Sequence, residues 1–376
     1  MKIEDRGLIY DSRGHSPSDR VAFQTGLYPA RSGAIFATCQ VGPKKHAATA
    51  RLQLCRSRDS GRTWHELPWR FETTLDGVAG SLLAGELIES QPGTLLLMAS
   101  WWDRSDPDRP ILDPTTKGIL HTRNLISSST DDGETWRPWR DLAIPGLRGN
   151  ATTGPALGWP DGTIGYAFES TNEYDEAGPP RHSAQMILSH DGGRTFGQPI
   201  VTARDPEQQI YFWDQRNCLA PNGDIVGMYW THDLKKEVDL PVHLRRFSLA
   251  KDDFQSAPIR ATTIPGQISA PLCLPDGRLL AFTVNRAPPG TMTLRCSRDD
   301  GRSWDDELVV YTHDARAQAA DGKQKTEYVQ YWDDMLKWCF GHPAIRSLGD
   351  GKVLLAWYAG TPDALSLHSA RVEVGR

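Results

Sequence analysis

Apolar residues in this chain fall in short runs of strand length, broken by polar turns. Six times such a run follows a tight turn that contains glycine. The copies are Ser32-Gly33-Ala34-Ile35-Phe36, Pro92-Gly93-Thr94-Leu95-Leu96, Pro160-Asp161-Gly162-Thr163-Ile164, Pro221-Asn222-Gly223-Asp224-Ile225, Pro275-Asp276-Gly277-Arg278-Leu279 and Asp350-Gly351-Lys352-Val353-Leu354. Asp-Gly and Asn-Gly between apolar runs are strong hairpin signals. The six glycines stand 60, 69, 61, 54 and 74 residues apart, room for one four-stranded sheet per period. The pattern predicts six sheets.

A second repeat interleaves with the first. Ser57-Arg58-Asp59-Ser60-Gly61-Arg62-Thr63-Trp64 recurs as Ser129 to Trp136, Ser189 to Phe196 and Ser297 to Trp304, each reading Ser-x-Asp-x-Gly-x-(Thr/Ser)-aromatic. Asp accepts from nearby backbone N–H groups, and Gly takes φ > 0 without a Cβ penalty. The hydroxyl ties the turn, and the aromatic packs beneath it. This is hairpin closure, not chemistry.

The motif is the Asp-box, and the chain resembles the sialidase-like (BNR-repeat) β-propeller superfamily from end to end. The resemblance implies an all-β fold, a six-bladed β-propeller with Asp-box hairpins, as one domain over residues 1–376. It also implies that the boxes lie on the outer rim, away from the central pocket. Boxes follow the turns of blades one, two, three and five, with a worn copy at Ser248 to Phe254 in blade four. Blade six has none, so the N-terminal Gly7-Leu8-Ile9-Tyr10 is expected to pair with the strand around Ser366 to Val374 and close it, leaving no open sheet edge.

An apolar fraction of 39% with thirteen Trp suffices to fill the gaps between sheets, and thirty-four Gly with twenty-six Pro suit many tight turns. A net charge of −5, with both signs interspersed, points away from nucleic acid or a membrane surface as partner. The N-terminus is charged and lacks an apolar signal segment, and six cysteines stand singly without metal or redox spacing. These features lead to the expectation of a cytoplasmic protein with buried free thiols and no cofactor or metal; the oligomeric state stays open.

Each inner strand should precede its glycine turn and point one end at the axial pocket. There Gln24, Asp214, Arg216 and His342 interrupt otherwise apolar strands. Buried polar groups are costly unless they are paired or used. The family pattern is not matched residue by residue. Gln24 stands where sialidases carry the first carboxylate-binding Arg, Lys44-Lys45-His46 replaces the acid/base Asp, and His342 takes the place of the nucleophilic Tyr. The expected catalytic set is therefore His46, His342 and Arg216, with histidine able to exchange a proton near neutral pH. Expected substrate contacts are Gln24, Asp214, Trp213, Glu173, Arg181, His232, Arg286, Tyr331 and Trp332, since long polar, aromatic-rich loops carry several of them.

The resemblance and these residues imply a carbohydrate-active enzyme whose partner is a small, acidic saccharide. The leading reading is a glycoside hydrolase with histidine-centred chemistry. A uronate-directed lyase and a non-catalytic sugar-binding propeller stay open.

Overall fold

The computed structural model describes the chain except residues 143, 145–146, 148, 180, 250–256, 315–334 and 376. It is all-β. Its strands pair antiparallel into six four-stranded groups in chain order. The inner strands are Val21–Pro29, Gly80–Gln91, Asn150–Thr152 (continued by Leu157–Gly158), Ile210–Leu219, Ser269–Cys273 and Phe340–Gly349. Inner strands of successive groups pack on one another, and the sixth packs on the first, so the groups close as the blades of a ring.

The sixth blade is completed by Lys2–Tyr10, which runs antiparallel to Ala364–Glu373 with Gly7 opposite Ser369 and Lys2 opposite Glu373. The expected closure is present, and it is longer than Gly7–Tyr10. A single parallel bridge, Val21 to Leu365, joins this blade to the first.

The core lies between the blades. Phe36, Leu54 and Leu97 fill the gap between blades one and two, and Leu96, Ile126, Tyr166 and Phe168 that between two and three. Phe282, Ile345 and Trp357 fill the gap between five and six. Strands buried on both faces account for near-continuous apolar runs such as Ile35–Gly42. The polar stretch from Tyr229 to His243 is two strands with a four-residue turn. Its polar groups are satisfied across the pair, His232 Nδ1 with Asp239 Oδ1 at 2.9 Å and Trp230 Nε1 donating to the same oxygen at 3.0 Å.

All four Ser-x-Asp-x-Gly hairpins join the third and fourth strands of blades one, two, three and five. In the second, Gly133 N–H donates to Ser129 Oγ (3.0 Å), Ser129 Oγ donates to Asp131 Oδ1 (2.8 Å) and Thr135 N–H donates to the same carboxylate (3.0 Å). The other three repeat this pattern. Gly133 sits at φ 83°, where a side chain would be strained and its Cβ would press on Phe36. The worn blade-four copy falls largely outside the described residues. Asp131→Ala should therefore lower stability by about 1–2 kcal/mol and leave ligand binding unchanged; thermal melting beside a binding or activity assay checks both.

Candidate functional site

Four inner strands bend in the same way where they meet the axis. Register shifts fall between Phe23 and Gly26, Leu83 and Gly85, Trp213 and Arg216, and Gly341 and Ala344. Three of these bulges hold a non-glycine residue in the left-handed region: Gln24 at φ 57°, Asp214 at 46° and His342 at 56°. Such backbone costs about 1 kcal/mol or more per residue, and a bulge re-aims the side chain it carries. Here it turns all three toward one cavity, which His46 (φ 52°) joins from the first blade's loop.

The cavity holds about 120 Å³. Phe23, Trp102, Trp213, Trp230, Trp338 and Tyr358 supply aromatic walls, and Glu169, Asp214, Lys45 and Arg286 supply charge. The backbone N–H of Asp214 donates to Glu169 Oε1, which ties the Glu169 carboxyl to the bulge that carries Asp214. Burial, and then the charge of Asp214, push Glu169 well above the usual carboxylate range. Burial also raises Asp214, but Arg216 and Arg286 pull it back. The pair therefore keeps one proton more easily than none, and Glu169 is the better holder.

Lys45 is buried and donates to Trp338 O, to Met335 O at 3.0 Å and to Tyr358 Oη at 3.0 Å, with its ammonium 4.5 Å from the Tyr358 ring centre. Burial and the charge of Arg286 pull it down, while three acceptors hold the ammonium form. Arg286 lies flat against Trp338 at 3.8 Å. It is 6% exposed, and its Nε and Nη1 meet no hydrogen-bond acceptor among the described residues. Gly341 makes its position possible, because a Cβ there would stand 2.6 Å from Arg286 Nη2.

Neither histidine suits proton transfer near pH 7. His342 receives Thr25 N–H at Nδ1 (2.8 Å) and faces Arg216 Nη2 at Nε2 (2.7 Å), so both ring nitrogens meet donors. Burial, then Arg216, Arg286 and Lys45, hold it far below 6.5. His46 packs edge-on against Phe23 and is pushed down to about 3 by burial, Arg104 and Lys45. Both rings are neutral and line the wall.

Arg216 is 3% exposed and lies under the cavity floor, bonded to His342 and 3.5 Å from Asp214. It positions these two rather than facing a ligand. Below it a cavity of about 10 Å³ is bounded by Arg216, Arg346 and Glu86. Burial lifts Glu86 to about 8, against the pull of both guanidinium groups. Folding then retains a proton that the unfolded chain gives up above pH 4.5, so stability falls as pH rises from about 5 to 8. Glu86→Gln should flatten that fall in Tm, and an unchanged slope would refute a protonated Glu86.

No family model matches the chain, and no curated protein matches it in sequence. Solved structures do. A protein of unknown function from Dyadobacter fermentans aligns over 99% of both chains at 18% identity and TM-score 0.74. The Hadza microbial sialidase Hz136 aligns over 98% of this chain and 68% of its own at 15% identity and TM-score 0.70. The α-L-arabinanase of Penicillium chrysogenum, solved with arabinobiose, aligns over 100% and 99% at 16% identity and TM-score 0.67. The fold is that of the sialidase-like β-propellers.

On this sialidase-like fold the expected site residues divide. Gln24, His46, Trp213, Asp214, Arg286 and His342 line one cavity. His232 stands behind it, stacked on Trp213 at 5.3 Å and bonded to Asp239. Glu173 and Arg181 are exposed on a loop outside the cavity, where Arg181 pairs with Glu176. Their polarity serves that loop, not the pocket. Tyr331 and Trp332 lie outside the described residues.

Sequence reasoning did not single out Lys45, Glu169, Trp338 and Tyr358, which also line the cavity. Glu169 is the penultimate residue of Ile164–Ser170, the second strand of blade three. Tyr358 sits opposite Gly341 on the second strand of blade six, so a phenol reaches the cavity from beside His342, not from its position.

Proposed function

We propose that the protein is a glycoside hydrolase acting on a small acidic saccharide, with Glu169 and Asp214 as its carboxyl pair. The observation that carries this reading is the placement of both carboxyl groups, each raised by burial, in a cavity walled by aromatic rings. Glycosidic cleavage needs one carboxyl to protonate the leaving oxygen and one carboxylate to act as base or nucleophile. Glu169, the more strongly raised, fits the first role, and Asp214, with Arg216 and Arg286 opposing the effect of its burial, fits the second. Aromatic faces suit sugar rings. A sialidase and an arabinanase among its fold neighbours agree with a saccharide ligand.

Acidity of the substrate is argued from charge. Lys45 and Arg286 face at most one ionised carboxylate, and Arg286 has two donors to spare. A panel of neutral and uronate- or sialate-type aryl glycosides tests the reading, with hydrolysis of acidic members expected. Arg286→Ala should raise KM for those about 10–100-fold, as for a lost charge-assisted bond, and spare neutral ones. Equal losses on both would refute the carboxylate contact.

A second reading, elimination from a uronate, rests on Tyr358 Oη between Lys45 and Arg286. An ultraviolet-absorbing unsaturated product would favour it, and a new reducing end without that absorbance would favour hydrolysis.

A further inference from the structure

The inner strands of blades four and five carry Cys218 and Cys273 near their turn ends, away from the charged cavity. Their sulfurs are 3.6 Å apart, with the Cys218 thiol donating to Cys273 across the boundary between blades. Cys218 is buried in the cluster of Val226, Met228, Leu244 and Leu279 that joins the two blades, and Cys273 is partly exposed against it. We propose that this pair is a peroxide-responsive thiol site, in which Cys273 is oxidised first and Cys218 resolves it to a disulfide that staples the two blades. The proposal holds whatever reaction the axial cavity performs.

The two sulfurs are unlike in the way such chemistry requires. The bond from Cys218 and the nearby Arg246 guanidinium draw the Cys273 thiol downward, whereas Cys218, itself the donor, is pushed up. Thiolate character and access select the sulfur that reacts. Cys39, Cys55 and Cys296 are buried and raised, so they compete poorly.

In the first step Cys273 thiolate attacks a peroxide oxygen. The S–O bond forms, the O–O bond breaks, and hydroxide leaves to take a proton as water. In the second, Cys218 gives up its proton and attacks the sulfenyl sulfur; the S–S bond forms, the S–O bond breaks and a second water leaves. Two thiols lose two electrons, and one hydrogen peroxide becomes two waters. Closing the bond requires an approach of about 1.5 Å, within reach of side-chain rotation.

The experiment treats the purified full chain with one to five equivalents of hydrogen peroxide. Thiols counted after denaturation should fall from six to four. Peptide mapping should then find Cys218 joined to Cys273, releasable by reductant, and Tm should rise by a few degrees. In Cys218→Ser, dimedone should label Cys273 while no disulfide forms. In Cys273→Ala the loss of two thiols should vanish. Six thiols surviving peroxide, a different cysteine linked, or dimedone on another cysteine in Cys218→Ser would each overturn the proposal.

Discussion

Replacing Glu169 with Gln should lower kcat by about 10²–10⁴-fold while changing KM little. This is the usual loss when a general acid is removed from a site whose binding contacts stay in place. Gln keeps an oxygen that can accept Asp214 N–H, so the bulge that carries Asp214 should hold its shape. Asp214→Asn should be comparably damaged, and the double variant little worse than either, because the two groups act as a unit. The pH dependence carries a sign. Activity should appear as Asp214 ionises on the acid side and disappear as Glu169 loses its proton on the alkaline side, with that second limb well above pH 4.5. Glu169→Gln should abolish the alkaline limb in whatever turnover remains. His46→Asn, in contrast, should leave the profile's shape intact, since a ring held near 3 is neutral throughout the working range. Full turnover in Glu169→Gln would sink the assignment.

The other large effect is predicted far from the cavity. Deleting residues 1–10 removes a strand that pairs along its length and takes out Ile9 and Tyr10, 3% and 1% exposed. Tyr10 also donates to Asp19 O at 2.8 Å and stacks on His15 at 4.2 Å. Uncovering these two side chains alone costs about 5 kcal/mol or more, comparable to the total stability of many domains. The truncated chain should melt several degrees lower or aggregate through the exposed edge of Ala364–Glu373. Tyr10→Ala, which leaves the strand in place, should lose about 3–5 kcal/mol. A truncated protein that melts within a degree or two of the full chain would show that the strand is dispensable.

The architecture was legible because its signals are local. Asp-Gly turns and the Ser-x-Asp-x-Gly hairpins depend on residues within a few positions of each other, so their spacing alone marked every blade. The cavity depends on events without a sequence signature. Nothing in Phe23-Gln24-Thr25 or Gly341-His342-Pro343 announces a bulge, yet the bulge decides which residue faces the axis. Arg216 was placed in the expected catalytic set because it is a cation on an inner strand. The shift between Trp213 and Arg216 aims Asp214 at the cavity and sends the guanidinium beneath it. Glu169 meets Asp214 only across the boundary between blades three and four, and Tyr358 reaches the cavity from the strand paired with that of His342, so neither could be picked out along the chain. The histidines line the cavity, where burial and neighbouring cations pull both below the ordinary titration range of an imidazole, an effect that no stretch of sequence displays.

The seam between the two ends of the ring also bears on how the protein is made. Lys2–Tyr10 is synthesised about 350 residues before its partner Ala364–Glu373. At about 5–20 residues per second the strand waits tens of seconds without its mate. Its charged start, Lys2, Glu4, Asp5 and Arg6, suits that interval, because charge on an unpaired strand discourages pairing with another chain. The last blade thus cannot form until Ala364–Glu373 has been made, and a chain truncated before it should be left with a ring that has no clasp.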